Sequence, residues 1–203
     1  MRARGMSGSR DALVMILAGG SGDRLRPLTI DRAKGAVPFG GQLRLIDFTL
    51  SNAINSGLRR ICILTQYKFS SLEQHLRREW NFLRPEFGES IEMLPPQHRI
   101  NGEWYSGTAN AVFHNLYTLK REAPRQTLIL SSDHVYQMDY ESLLQYHEGS
   151  GAALTVACVA VPLSQAGRFG VVQVNSRHQI VDFEEKPQFP TPSPFDAERA
   201  LVS

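Results

Sequence analysis

Two cysteines, Cys62 and Cys158, are all the thiol chemistry that 203 residues offer, and both lie inside apolar runs. That argues against a disulfide framework and for small buried thiols in a reducing compartment, expected to be the cytoplasm. Charge of one sign is also lacking. The formal net charge is +2, which leaves no electrostatic footprint of a partner such as nucleic acid or a membrane surface. No apolar run approaches the roughly 20 residues of a membrane helix. The basic opening MRARGMSGSR leads into a short apolar run without a cleavage site, so no signal peptide is read. The six histidines share no zinc-like spacing with cysteines or one another. Three signatures are missing as well: the Gly-Lys-Ser/Thr ending of a Walker loop, the third glycine of a dinucleotide fingerprint, where Leu25 sits, and a serine nucleophile elbow.

What is present centres on LVMILAGGSGDRLRP, Leu13–Pro27. Leu13 to Leu17 suit a central strand buried on both faces of a parallel sheet. Gly19, Gly20 and Gly22 let the backbone bend and bring its N–H groups close to an anion. Arg24 adds a planar fork that can bind phosphate oxygens bidentately. A triphosphate cradle and a plain strand-to-loop turn both fit these residues.

Farther along, Gly40-Gly41 reads as a tight turn. Leu43–Ser56 has helical spacing, with Gly57 as its C-cap. Arg60–Thr65 is a second buried strand. Phe69–Trp80 is an amphipathic helix with Ser70 or Ser71 as N-cap and Arg77 and Arg78 in solvent. A short strand Ile91–Leu94 precedes a long loop reaching Tyr105. Thr108 caps a helix to about Lys120, and Gly107 allows close backbone approach at its start, a second candidate anion site. Thr127–Leu130 is a third buried strand, and Tyr140–His147 is a helix stopped by Gly149 and Gly151. Ala153–Val161 reads as a strand. Gly170–Val174 and Gln179–Glu184 read as a hairpin. The alternation predicts an α/β fold, a three-layer sandwich with a mainly parallel sheet. Residues 1–11 are expected to be a flexible N-terminus, 12–187 one catalytic domain, and the proline-rich stretch 188–203 a mobile tail with nothing to fold against.

Asp133 falls just past the third strand, flanked by Ser131, Ser132 and His134. A carboxylate there can hold Mg²⁺ or merely cap the next turn. Tyr105, beside Trp104, could stack on a base or plug the core. Lys186, after Glu184-Glu185, reads from its neighbours alone as a solvated ion pair.

Taken in order, AGGSGDRLRPLT at Ala18–Thr29, RAKGAVPFGG at Arg32–Gly41, IDFTLSNAINSGLRRICILTQY at Ile46–Tyr67, WYSGTANAV at Trp104–Val112, SDHVYQMDY at Ser132–Tyr140 and FEEKP at Phe183–Pro187 resemble the glucose-1-phosphate adenylyltransferase family of sugar nucleotidyltransferases. The resemblance implies a Rossmann-like nucleotidyltransferase fold. It also implies a Mg²⁺-dependent reaction in which ATP and glucose 1-phosphate give ADP-glucose and pyrophosphate for glycogen or other α-glucan synthesis. Gly19, Gly20 and Gly22 would wrap the triphosphate, and Arg24 and Lys34 would neutralise the reacting phosphates. Gln97 would read the adenine edge, and Tyr105, Gly107 and Thr108 would flank the nucleotide. Asp133 would bind the metal, and Glu185 and Lys186 the glucose 1-phosphate.

The chain also departs from that family's pattern. Asp23 stands where the family has a small hydroxyl residue, Gly35 where it has proline, and Asn110 where it has aspartate. Ser132 stands where it commonly has glycine, Gln137 where a basic residue is common, and Asp31 where some members carry an activator-binding lysine. Family members continue beyond the EKP motif to a second metal-binding aspartate and a C-terminal β-helix, both expected to be absent here. An alternative therefore stands beside the enzyme: a catalytically impaired, truncated paralogue acting as a nucleotide-binding or regulatory partner of a full-length homologue, in a homo- or hetero-oligomer. A UTP- or GTP-using branch is a third reading.

Overall fold

The computed structural model describes residues 11–20, 22–66, 68–95, 105 and 107–203. These divide into two compact units, one ending at Tyr146 and one spanning His147–Ser203. The first opens with β1 (Ala12–Ala18), the apolar run anticipated from the sequence. Short strands β2 (Pro38–Phe39) and β3 (Leu43–Arg44) flank the Gly40-Gly41 turn and lead into helix α1 (Leu45–Asn55). Then come β4 (Arg60–Thr65), α2 (Ser70–Glu79), β5 (Ser90–Leu94), α3 (Thr108–His114), α4 (Leu116–Glu122), β6 (Gln126–Ser131) and α5 (Tyr140–Ser150).

Strands β5, β4, β1 and β6 form, in that order, a wholly parallel sheet. Alternation along β1 builds both faces. Val14 and Ile16 pack with Ile46 and Leu50 of α1, Leu72 of α2 and Leu144 of α5. Leu13 and Met15 face the other way, with Ala111, Val112 and Leu119 of α3 and α4. Helices thus cover both faces, which is the three-layer arrangement. Each fully buried aliphatic side chain contributes about 1.5–3 kcal/mol, so β1 anchors the unit. Cys62 lies inside this packing; burial pushes its thiol up to about 12, leaving it unreactive.

Several boundaries differ from the periodicity. The predicted 43–56 helix begins only at Leu45, because Leu43 and Arg44 are taken by β3. Phe69, not a serine, occupies the α2 N-cap, and no side-chain cap bond forms. The helix starting at Thr108 breaks at Asn115. There Nδ2 donates to Ala111 O at 2.8 Å and to the Tyr105 hydroxyl at 3.1 Å, a side-chain bond that competes with the helix ladder. Helix α5 runs through Gly149 and ends at Ser150, before Gly151 at φ 63°.

The buried Asp47 carboxylate links α1 to α2. It accepts from Arg44 N at 2.7 Å and from Trp80 Nε1 at 2.8 Å, with His75 Nε2 at 2.7 Å.

The second unit holds β7 (Val159–Pro162), α6 (Leu163–Ala166), β8 (Gly170–Val174), β9 (Ile180–Glu185) and β10 (Arg199–Val202). Its sheet is antiparallel, ordered β7, β10, β8, β9. The predicted hairpin is present as β8 and β9. Two expectations fail. The strand predicted over 153–161 is confined to β7, because its partner β10 is four residues long and matches only Val159 to Pro162. The stretch expected to be an unpaired tail instead supplies that partner: β10 sits between β7 and β8 with Ala200 and Val202 buried beside Ala166 and Val171. The prolines before it obscured a four-residue alternation too short to register as a strand. No helix among the described residues is long and apolar enough to cross a membrane.

Candidate active site

Ligands gather at the C-terminal edge of parallel strands, and the first unit has a cavity of about 480 Å³ there. The exit of β1 contributes Leu17, Gly19 and Gly20, and that of β4 contributes Leu64 and Gln66. The exit of β6 contributes Ser131, Ser132 and Asp133. Gly107, Thr108 and Ala111 line it from α3, and Lys34 and Tyr105 complete the wall.

Lys34 opens a 3-10 turn, Lys34–Ala36, that is held on both sides. Ala33 N donates to Lys68 O at 3.2 Å, and Arg44 Nη1 donates to Ala36 O at 2.7 Å. So held, the Lys34 ammonium forms an ion pair with Asp133 Oδ2, while the Ser131 hydroxyl donates to Oδ1. Burial disfavours the Asp133 charge, but the Lys34 ammonium and the Ser131 hydroxyl outweigh it and hold the carboxyl below the usual carboxylate range. Among the described residues no group of three His, Cys, Asp or Glu side chains is placed to hold a metal. Among the described residues, Asp133 is the single carboxylate lining the cavity.

The glycine loop is split by the fold. Gly19 and Gly20 face the cavity, whereas Gly22 serves the turn beneath it. Its φ is +69°, and a Cβ there would meet Thr29 Cγ2 at 2.8 Å, so conformation and space both require glycine. Arg24 is exposed in the 3-10 turn Asp23–Leu25 and is not among the cavity's lining residues. Asp23, which stands where the resembling family has a small hydroxyl residue, has Arg26 Nη2 at 2.9 Å.

Tyr105 packs against the Leu13 and Met15 core, one of its two anticipated roles, and also lines the cavity. Gly107 holds the N-cap position that Thr108 was expected to take. Gln97 lies outside the described residues. In the second unit, Glu185 ends β9 and Lys186 follows it, their side chains paired with each other as the simplest reading expected.

Residues 13–198 match the Nucleotidyl transferase family. The chain belongs to that family. It is 54% identical over 194 residues to glucose-1-phosphate adenylyltransferase 2 of Vibrio vulnificus (strain CMCP6), a match covering 96% of this chain and 48% of the relative. It is 55% identical over 196 residues to glucose-1-phosphate adenylyltransferase 1 of Alkalilimnicola ehrlichii, covering 96% and 46%. A glucose-1-phosphate adenylyltransferase of Methylobacillus flagellatus is 53% identical over 195 residues, at 96% and 46%. The chain spans about half the length of the curated relatives it matches.

Gln66 was not singled out from the sequence, and Ser131 was named only as a neighbour of Asp133. Gln66 is 7% exposed, follows β4 directly and donates from Nε2 to Tyr105 O at 3.4 Å. The rule that found Asp133, a polar residue just past a buried parallel strand, would have found Gln66 too.

Proposed function

We propose that this chain carries the nucleotidyl-transfer site of a glucose-1-phosphate adenylyltransferase, joining ATP and glucose 1-phosphate into ADP-glucose with release of pyrophosphate. The observation that carries the reading is the Lys34–Asp133 pair facing Gly19 and Gly20 across one cavity. Backbone N–H groups at Gly19 and Gly20 bind triphosphate oxygens, and Gly22 gives the loop its turn. Lys34 and Arg24 neutralise charge at the reacting phosphates. Asp133 is the carboxylate that would hold Mg²⁺, an ion that needs only one or two carboxylates because substrate phosphates and waters fill the remaining positions. When bound, Mg²⁺ supplies positive charge against the polyphosphate.

A phosphate oxygen of glucose 1-phosphate attacks the α-phosphorus in line and the bond to the β-phosphate oxygen breaks. Positioning and charge neutralisation supply most of the catalysis. Tyr105, Gly107 and Thr108 flank the nucleotide, Gln97 reads the adenine edge, and Glu185 and Lys186 bind the sugar phosphate. The setting is glycogen or other α-glucan synthesis in the cytoplasm, as part of a homo- or hetero-oligomer.

The reading of the chain as an impaired paralogue drew on Asp23. Arg26 pairs with that carboxylate at the surface, which supports the enzyme reading at that one departure. Pyrophosphate release by the purified chain with ATP, glucose 1-phosphate and Mg²⁺ tests the proposal, with UTP and GTP in parallel. Release with ATP, lost in Lys34→Ala, is expected. A folded protein that binds ATP without turnover would move the assignment to the paralogue, and preference for UTP or GTP to another branch.

A further inference from the structure

Gly35 follows Lys34, and Ser132 precedes Asp133. The two small residues meet behind the ion pair. The Gly35 backbone does not lie in the left-handed region, so its conformation does not call for glycine. Space does: a Cβ at position 35 would stand 3.0 Å from Ser132 Cβ, 3.1 Å from its Oγ and 3.3 Å from its backbone oxygen. Neither wall is free to retreat. Ser132 is 3% exposed and its N–H donates to Leu17 O in β1 at 3.1 Å. Thr49 of α1 donates to Ser131 O at 2.9 Å, and Arg44, at the start of the same helix, holds Ala36 O at 2.7 Å. Both loops are therefore tied to α1 and the sheet, and the gap between them admits one Cβ.

We infer that Gly35 and Ser132 form a matched contact that sets how closely Lys34 approaches Asp133. They are positioning residues, acting through the two charges that face the cavity. This rests on Lys34 and Asp133 being the reacting pair. The same two positions are departures from the resembling family's pattern, which has proline at 35 and commonly glycine at 132.

A double-mutant cycle tests the contact. Gly35→Ala forces a shift of a few tenths of an ångström, and kcat for pyrophosphate release is expected to fall about tenfold with KM changing less, because the displaced groups act on the reacting atoms. Ser132→Gly alone is expected to cost about threefold by loosening the contact, and the Gly35→Ala, Ser132→Gly double variant to return to that same level. Ser132→Ala keeps the Cβ and should give no rescue.

A second readout needs no turnover. The acylation rate of Lys34, scaled to that of Lys120 in the same molecule, should rise about threefold in Gly35→Ala as the ion pair opens, and return with Ser132→Gly. Additive losses through the cycle, or an unchanged Lys34 rate in every variant, would overturn the inference. A wild-type chain that releases no pyrophosphate would sink the adenylyltransferase reading instead, and the acylation cycle would still decide the contact.

Discussion

The two sheets of this chain solve stability in opposite ways. In the parallel sheet, β1 is buried along nearly its whole length, flanked by β4 and β6 and covered by helices on both faces. In the antiparallel sheet, every residue of β9 is exposed and the core is four side chains, Ala166, Val171, Ala200 and Val202. A sheet packed on both faces can hold loop ends rigidly at its edge, and the cavity with Lys34 and Asp133 lies at that edge. A thinly covered sheet offers exposed polar groups, as at Glu185 and Lys186, with less to fix them in place.

Substitutions should separate the two. Ile16→Ala, in the centre of β1, is expected to cost about 2–5 kcal/mol by leaving a cavity in a core that cannot collapse, read from denaturant melts. Lys34→Ala should lower pyrophosphate release by about 10²–10³-fold, the effect of losing one preorganised charge-stabilising group, while hydrogen exchange in β1 stays at the wild-type level. Val171→Ala removes a smaller buried group from the smaller core and should cost about 2 kcal/mol. Its effect on hydrogen exchange should fall on β8 and β10, and equal loss of protection in β1 would erase the contrast.

Acid sharpens the comparison further. Asp133 titrates lower in the folded chain than in the unfolded one, so the unfolded chain takes up that proton first. The stabilisation is full above about pH 4 and is lost as pH falls through the folded value. Melting temperatures between pH 6 and 3 should therefore fall less steeply in Lys34→Ala than in wild type. The smallest effect is expected at Arg77→Ala, within about 0.5 kcal/mol, because the Glu73 pair it removes sits in solvent.

Where a strong local pattern coincided with tertiary packing, the sequence was readable. β4 was bounded correctly as Arg60–Thr65, and β1 and the β8–β9 hairpin were found within a residue or two. What escaped depended on partners. β10 owes its pairing to β7 and β8, and Asn115, where the helix breaks, donates to the hydroxyl of Tyr105, ten residues earlier. In the site, Asp133 was legible because strand ends gather ligands. That Lys34 would lie against it, 99 residues away in sequence, was open only to resemblance. Neither periodicity nor composition carries the fact that Gly35 and Ser132 share space for one Cβ.

Asp47 bears on any attempt to transplant this site into another scaffold. Its carboxylate receives groups from the entrance of α1 and from both His75 and Trp80. The loop before α2 in turn carries Lys68, whose carbonyl receives Ala33 N beside Lys34. Copying the cavity wall alone would leave Lys34 without this support. A portable piece would have to carry Arg44, Asp47, His75 and Trp80 together with Lys68, although none of the five borders the cavity.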